Sequence, residues 1–287
     1  ITQGLKQHWL GVLFALSLIL CFGFVFNAVQ ANTIAAAAET SWAWNKQMVG
    51  IGLVILTAPI IFGGIRRVSK FAEAVVPVMA VLYLAMALYI VLTNLGAVPA
   101  VVSLIFSKAF QFDAAAGGFF GAMVSQAMMM GIKRGLYSNE AGMGSAPNAA
   151  AAAEVSHPAS QCMIQMLGVF VDTIIVCSCT AFILLLSDVQ NTTDLTGAQL
   201  TQAALVHHVG AWGADFLTII LFLFAFSTVV GNYAYAESNI QFIKSNRIIM
   251  NIFRMVVLMF VYFGAIWDVP LVWDMADLSM GIMAVIN

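Results

Sequence analysis

Long apolar segments separated by short polar turns run through the whole chain. A bilayer core about 30 Å thick needs about 20 apolar residues in a helix that rises 1.5 Å per residue. By this criterion the pattern predicts an all-α, polytopic membrane bundle of about eight transmembrane helices. They are Trp9–Gln30, Met48–Gly64, Phe71–Asn94, Gly117–Gly131, Ser160–Ser187, Ala214–Tyr235, Asn251–Trp267 and Pro270–Ile286.

The composition supports a membrane protein and excludes several other classes. Hydrophobic residues make up 62% of the 287 residues, and charged residues only 8%, against about 25% in a soluble domain. So few charges cannot cover a soluble, disordered or nucleic-acid-binding surface. The sequence also lacks the common hydrolase, nucleotide-binding and zinc-protease motifs, so we do not expect an enzyme.

The distribution of Lys and Arg predicts the orientation in the membrane. If the loop at residues 66–70 is cytoplasmic, alternation of the spans leaves only Lys46 and Lys108 outside. This asymmetry follows the positive-inside rule and predicts a multi-pass protein of the plasma membrane. The cations predicted on the inner side are Lys6, Arg66, Arg67, Lys70, Lys133, Arg134, Lys244, Arg247 and Arg254.

Polar groups at membrane depth are the first candidates for function, because hydrocarbon cannot satisfy them. Asn27 and Gln30 share a helix face at the predicted outer end of the first span, where they either meet headgroups or line a cavity. Residues 117–147 form a short, glycine-interrupted apolar run that frees backbone groups for binding, or alternatively a plain span followed by a cytoplasmic loop.

Two further positions lie near the middle of predicted spans. Asp172 needs a cation, a proton or a hydrogen-bond donor, and it either binds a cation or braces a neighbouring helix. Ser227, Thr228 and Asn232 form a polar group in which the hydroxyls and a backbone carbonyl suit a small hard cation such as sodium. The alternative for these hydroxyls is hydrogen bonding to the preceding turn of the same helix.

Several segments resemble the alanine or glycine:cation symporter family. The most specific is residues 134–147, which read RGLYSNEAGMGSAP. Phe62–Arg67, Phe170–Thr173 and Phe224–Thr228 also match the family pattern. The resemblance implies a LeuT-type fold of two inverted five-helix repeats around a midplane site. The family's chains are longer, so residues 1–287 are expected to be a single transporter domain truncated at both ends, without the first helices.

The resemblance also implies roles for particular residues. The broken sixth helix of such folds would map to Gln126–Gly131. The residues expected to bind substrate are Gln30, Gln126, Met129, Thr228 and Asn232. The expected sodium ligands are the Phe224 carbonyl, Ser227 and Thr228, with Asp172 serving a second cation or bracing its helix. Some members of the resembled family carry Trp at the position of Asn232, which leaves the side-chain preference of the substrate pocket open.

The function that the resemblance implies is sodium-coupled import of small neutral amino acids, alanine or glycine, by alternating access. Its partners would be the amino acid, sodium as coupling ion and the lipid bilayer, with no other cofactor and no nucleic acid. Two alternatives stay open: a proton-coupled transporter on the same fold in which Asp172 titrates, and a truncated membrane fragment that does not transport.

Overall fold

The computed structural model is helical throughout the part of the chain that it describes. It describes residues 2, 4–63, 65–110, 118–191 and 193–287, without side chains for 65–72, 108–110, 118–127 and 190. The helices are α1 (His8–Leu18), α2 (Phe26–Trp42), α3 (Lys46–Phe62), α4 (Ile65–Thr93), α5 (Val98–Phe110), α6 (Gly118–Asn139), α7 (Ala146–Ala151), α8 (Pro158–Phe170), α9 (Cys177–Ser187), α10 (Gly197–Val209), α11 (Trp212–Ile243), α12 (Arg247–Ile266) and α13 (Val269–Ile286).

Six of the described helical segments are long and apolar enough to cross a membrane. They are His8–Trp42, Glu73–Thr93, Pro158–Ser187, Trp212–Ile243, Arg247–Ile266 and Val269–Ile286. The predicted polytopic all-α bundle is therefore confirmed. Of the other two predicted spans, one corresponds to α3, a shorter apolar helix of 17 residues. The other corresponds to α6, part of which lies outside the described side chains.

The first span is longer than the sequence predicts. Helices α1 and α2 join through a π-helical turn at Ile19–Val25, so one helix of 35 residues runs from His8 to Trp42. The prediction that this span ends at Gln30 is therefore wrong, because the alanines of residues 35–38 continue the helix beyond it. Asn27 lies inside the helix and donates its amide N–H to the Gly23 carbonyl at 2.9 Å.

A tightly packed group of four helices forms the centre of the protein. Helices α2, α3, α11 and α12 bury one continuous apolar cluster that includes Ile34, Leu53, Tyr233 and Phe253. Small residues bring the α2 and α12 backbones together, since a Cβ atom on Gly264 would lie 2.4 Å from the Cα atom of Ala28. Close backbone approach of this kind is a common way to pack helices in membranes.

A buried amide adds a polar tie to the same contact. The Nδ2 atom of Asn32 donates to the carbonyls of Gly264 at 2.9 Å and Trp267 at 2.7 Å. These carbonyls lie at the C-terminal end of α12, where the last carbonyl oxygens have no N–H donor within their own helix. Asn32 therefore satisfies polar groups that hydrocarbon could not.

The segment from Pro158 to Ser187 differs sharply from this centre. Only 6% of its most apolar stretch is buried in the structure, compared with 50% for α11. It also carries a π-helical turn at Val171–Val176. Almost all of its apolar surface is therefore available to lipid or to other protein.

Helix α6 is continuous where the sequence predicts a break. The expectation that Gln126–Gly131 is unwound is wrong: the helix runs from Gly118 to Asn139, and the methionines of residues 128–130 are good helix formers. The break falls after Asn139, where Glu140, Gly142 and Gly144 all have positive φ angles. Gly142 and Gly144 of the signature segment therefore form a turn and do not line an unwound helix centre.

The contact between α2 and α12 gives a first prediction. Gly264→Ala should lower stability by about 1–3 kcal/mol, because the new methyl group forces the two backbones apart. Gly281→Ala is the matched control, since a Cβ atom there meets nothing within 4 Å. Thermal unfolding of the detergent-solubilised variants measures the difference, and equal midpoints for the two variants would contradict the packing described here.

Candidate transport site

Three oxygen atoms lie together in the middle of α11. Thr228 follows the first residue of this 32-residue helix by about 24 Å of helical rise. Ser227 Oγ and Thr228 Oγ1 both donate to the Phe224 carbonyl, at 2.8 and 2.9 Å. Serine and threonine hydroxyls in membrane helices often donate in this way to a carbonyl of the preceding turn. Each hydroxyl oxygen keeps its lone pairs, so the three oxygens can also coordinate a cation.

Asn232 lies one turn beyond Thr228 and is almost completely buried. Its Nδ2 atom has no hydrogen-bond partner among the described residues. A buried amide N–H without an acceptor is costly in an apolar environment, so a group that supplies an acceptor would be favoured here. The chemistry of this side chain therefore suits a ligand with a carbonyl or carboxylate oxygen.

Gln30 faces helix α6 from the inside of the long first span. Its Nε2 atom donates to the Tyr137 hydroxyl at 3.0 Å. The Tyr137 ring in turn packs between Phe26 and Trp273, with ring centroids 4.6 and 5.0 Å away. The structure therefore places Gln30 within the bundle, beside a layer of three aromatic rings.

The structure describes the side chain of one of the two predicted substrate-binding residues on α6 and not of the other. The side chain of Gln126 lies outside the described residues. Met129 is 51% exposed, whereas its neighbour Met130 lines a large cavity. The substrate role of Gln126 and Met129 stays a prediction.

Asp172 lies at the midpoint of the Pro158–Ser187 segment, within its π-helical turn. Its carboxylate accepts a hydrogen bond from Ser138 Oγ at 2.6 Å. Next to it, Asn139 Nδ2 donates to Thr173 Oγ1 at 3.0 Å. Asp172 therefore meets the end of α6 at the signature segment, in a setting separate from the oxygens of α11.

A polar cavity of about 230 Å³ opens at this junction. Glu140 and Asp172 both line it, together with Ser138, Gln165 and Tyr235. Burial raises the pKa of the Glu140 carboxyl, while the hydrogen bond from Ser145 at 2.7 Å opposes the rise. The two carboxylates give this cavity a negative character that suits a cation or a proton.

A larger cavity of about 680 Å³ lies between α2, α6, α10, α11 and α13. Asn32, Thr33, Arg134, Gln199 and Trp273 supply much of its polar lining. A smaller cavity of about 180 Å³, lined by Phe224, shares the wall residues Ala198, Thr201 and Leu221 with it. The large cavity therefore adjoins the part of α11 that carries the oxygen cluster.

Comparison with known proteins identifies the family. The family model described as "Sodium:alanine symporter family" matches residues 1–287. The chain belongs to the sodium:alanine symporter family. This is a family of transporters, and with its candidate membrane-spanning helices the protein is a multi-pass protein of the plasma membrane.

Named relatives from bacteria and an archaeon match over almost the entire chain. The amino-acid carrier protein AlsT of Bacillus subtilis is 52% identical over 100% of the chain and 60% of its own length. The probable sodium/glutamine symporter GlnT of the same organism is 47% identical, over 99% and 59%. The sodium/alanine symporter AgcS of Methanococcus maripaludis is 38% identical, over 100% and 64%. The chain thus spans about three fifths of the length of these relatives.

Lys133, Arg134 and Asp277 form a charged cluster in this symporter-family chain that was not predicted from the sequence. Lys133 Nζ and Arg134 Nη2 both lie within ion-pair distance of one oxygen of Asp277, at 3.2 and 3.0 Å. Both cations lie inside α6, which continues to Asn139 beyond the predicted end of that span at Gly131, and their inner-side location stays a prediction. The signal that points to Asp277 is a carboxylate in an apolar span, Pro270–Ile286.

A second charged pair between α11 and α12 was also missed. Arg254 Nη2 lies 3.2 Å from Glu237 Oε1, and its Nε atom donates to the Tyr233 hydroxyl at 2.9 Å. The side chains of Arg254 and Glu237 are only 16% and 9% exposed. Arg254 is therefore a buried interhelical tie, and the inner-side location of this cation stays a prediction.

This buried pair gives a second prediction. Arg254→Met should lower stability by about 3–5 kcal/mol, because it leaves the Glu237 carboxylate buried without its cation. The double variant Arg254→Met/Glu237→Leu should recover most of the loss, since neither charge then remains unpaired. Thermal unfolding in detergent measures both effects.

The control for this prediction is Lys46→Met, which removes an exposed ion pair with Glu39. Pairs of this kind contribute at most about 1 kcal/mol. If the single Arg254 variant loses no more stability than the control, the pair does not hold the two helices together.

Proposed function

We propose that the protein is a sodium-coupled symporter that imports small neutral amino acids, alanine or glycine, by alternating access. The observation that carries the proposal is the cluster of the Phe224 carbonyl, Ser227 and Thr228 oxygens at the middle of α11, beside the unpartnered amide of Asn232. Membership of the sodium:alanine symporter family supports the same function.

In this proposal the oxygen cluster binds sodium. Sodium is a small hard cation that prefers hydroxyl and carbonyl oxygens, and the hydrogen bonds of Ser227 and Thr228 leave such oxygens facing one another. A membrane potential of 100 mV, negative inside, contributes about 2.3 kcal/mol for each sodium ion moved inward. That free energy corresponds to roughly 50-fold accumulation of substrate per ion.

The substrate would lie between α11 and the long first span. Asn232 and Gln30 offer amide groups for the carboxylate and ammonium of the amino acid, with Thr228 at the boundary between the substrate and the ion. Gln126 and Met129 complete the proposed pocket from α6. Asp172, in its separate setting with Ser138, either serves a second cation or braces α6.

Alternating access on a LeuT-type fold requires one rigid part and one part that moves against it. The close packing of α2, α3, α11 and α12, with Gly264 against Ala28, suits the rigid part. The exposed Pro158–Ser187 segment, which contacts α6 at the signature turn, suits the moving part. We propose that rocking of the second part against the first exposes the site to each side in turn.

Reconstituted protein in liposomes provides the test of this function. Uptake of labelled alanine should require an inward sodium gradient and should fall when unlabelled glycine or serine is added. Glutamine belongs among the competitors because one relative is named for it. Uptake that follows a proton gradient without sodium would replace the proposal with proton coupling through Asp172, and absence of any gradient-driven uptake would overturn it.

The proposed sodium site gives a third prediction. Thr228→Ala and Ser227→Ala should each raise the sodium concentration needed for half-maximal uptake by about tenfold, since each removes one oxygen ligand. Thr93→Ala is the matched control, because Thr93 makes the same bond to the carbonyl four residues earlier at an exposed position of α4. Sodium titration of alanine uptake measures the shift, and unchanged titrations in both site variants would remove the sodium assignment.

Gln30 gives a fourth prediction. Gln30→Ala should raise the KM for alanine by about tenfold, because it removes a hydrogen-bonding group from the substrate. Tyr137→Phe removes only the hydroxyl to which Gln30 donates and should have a smaller effect. Uptake kinetics of the two variants separate the roles, since equal effects would mean that Gln30 acts only by bonding to Tyr137.

A further inference from the structure

The cluster of Lys133, Arg134 and Asp277 carries an excess positive charge. Both cations lie against the same oxygen of Asp277, so two positive charges share one negative charge. Asp277 follows the first residue of α13 by about 12 Å of helical rise, which places it near the middle of this 18-residue apolar helix. The Lys133 and Arg134 side chains are 37% and 39% exposed, so the excess positive charge is accessible to an anion that could neutralise it.

The described surroundings of the cluster do not supply that anion. Arg134 lies over the Trp273 ring at 4.2 Å, and its Nη1 atom is buried without a hydrogen-bond partner among the described side chains. The other acid of this helix, Asp274, is exposed and forms no ion pair with any described residue. The guanidinium of Arg134 therefore has unused capacity for an acceptor.

The same arginine opens onto a large cavity that has both polar and apolar lining residues. Arg134 and Trp273 line the cavity of about 680 Å³, and its described lining contains no Asp or Glu. Its other cation, Lys46, already pairs with Glu39 at 3.1 Å. The cavity has room for a small molecule and presents a positive charge to it.

The cavity also offers acceptors for a positively charged group. The hydroxyl oxygen of Thr33 and the amide oxygen of Gln199 belong to lining residues, and both types of oxygen accept hydrogen bonds from an ammonium. A planar carboxylate matches the fork of a guanidinium in a way that a spherical anion does not. The lining therefore suits a molecule with both a carboxylate and an ammonium.

We propose that Arg134, with Lys133 behind it, binds the α-carboxylate of the amino acid in this cavity. The proposal rests on the proposed transport of amino acids and adds a second point of recognition to it. This cavity and the one beside Phe224 are neighbours, because Ala198, Thr201 and Leu221 line both of them. The amino acid would be selected for its carboxylate here and then move toward the oxygens of α11.

The test compares alanine with alaninamide, which keeps the ammonium but has no carboxylate. The inhibition constant of alaninamide divided by the KM for alanine, both measured in reconstituted protein, is a ratio that reports recognition of the carboxylate. Arg134→Gln should raise the KM for alanine by about 10- to 100-fold and change alaninamide inhibition much less, so the ratio should collapse. A uniform loss of affinity for both compounds would overturn the proposal.

Two further variants keep the test decisive. Lys133→Gln lowers the charge of the cluster while leaving the Arg134–Asp277 pair intact, so it should reduce the ratio several-fold even if Arg134→Gln fails to fold. Lys244→Gln removes one positive charge from an exposed position beyond the end of α11 and should leave the ratio unchanged. An unchanged ratio in Lys133→Gln and in a folded Arg134→Gln would also overturn the proposal.

Two more measurements complete the test. One asks whether chloride or the amino acid supplies the anion, and the other distinguishes failure of the carboxylate site from failure of the transport function. Replacement of chloride by methanesulfonate, which has no carboxylate, should leave alanine uptake unchanged, whereas loss of uptake would mean that chloride neutralises the cluster, against the proposal. If the unmodified protein takes up alanine with sodium but Arg134→Gln and Lys133→Gln do not change the ratio, the proposed carboxylate site is wrong and the proposed transport function is retained. If the unmodified protein shows no uptake, the transport function itself fails.

Discussion

Hydrocarbon cannot satisfy a polar group, and this constraint governs where every polar residue of the bundle lies. Asn32 meets it by binding two carbonyls at the end of α12. Arg254 meets it by pairing with Glu237 and Tyr233. These partnerships hold neighbouring helices together. Seven buried side-chain atoms have no hydrogen-bond partner among the described residues, and they belong to Asn27, Thr57, Arg134, Gln202, Asn232, Glu237 and Asp277. Arg134 and Asn232 are the two positions where we expect a transported solute to supply the missing partner.

The fold class and the positions of most helices can be predicted from the sequence, because apolar segments of sufficient length have few other uses. Helix ends are harder to predict. Gln30 and Lys133 both look like the polar end of a span, but the alanines of residues 35–38 continue the first helix beyond Gln30, and α6 continues beyond Lys133 to Asn139. In a protein of this kind a polar residue does not mark the membrane boundary when another helix can satisfy it.

The candidate site also combines features that can be predicted from the sequence with features that cannot. The grouping of Phe224, Ser227 and Thr228 follows from residue spacing within one helix, and the structure brings these oxygens together. The pairing of Gln30 with Tyr137 and of Asp277 with Arg134 joins residues more than 100 positions apart. Hydropathy alone carries no information about such pairs, since it gives the depth of a residue but not its neighbours.

The length of the first helix has a consequence for the shape of the protein in the bilayer. Its 35 residues extend about 52 Å. Even at a steep tilt of about 40°, the rise across the membrane is about 40 Å, roughly 10 Å more than the hydrocarbon layer. One or both ends of this helix, at His8 and at Trp42, must therefore extend into the lipid headgroups. A hydrophilic solute diffusing toward the membrane would meet this projecting helix before it reached any acyl chain.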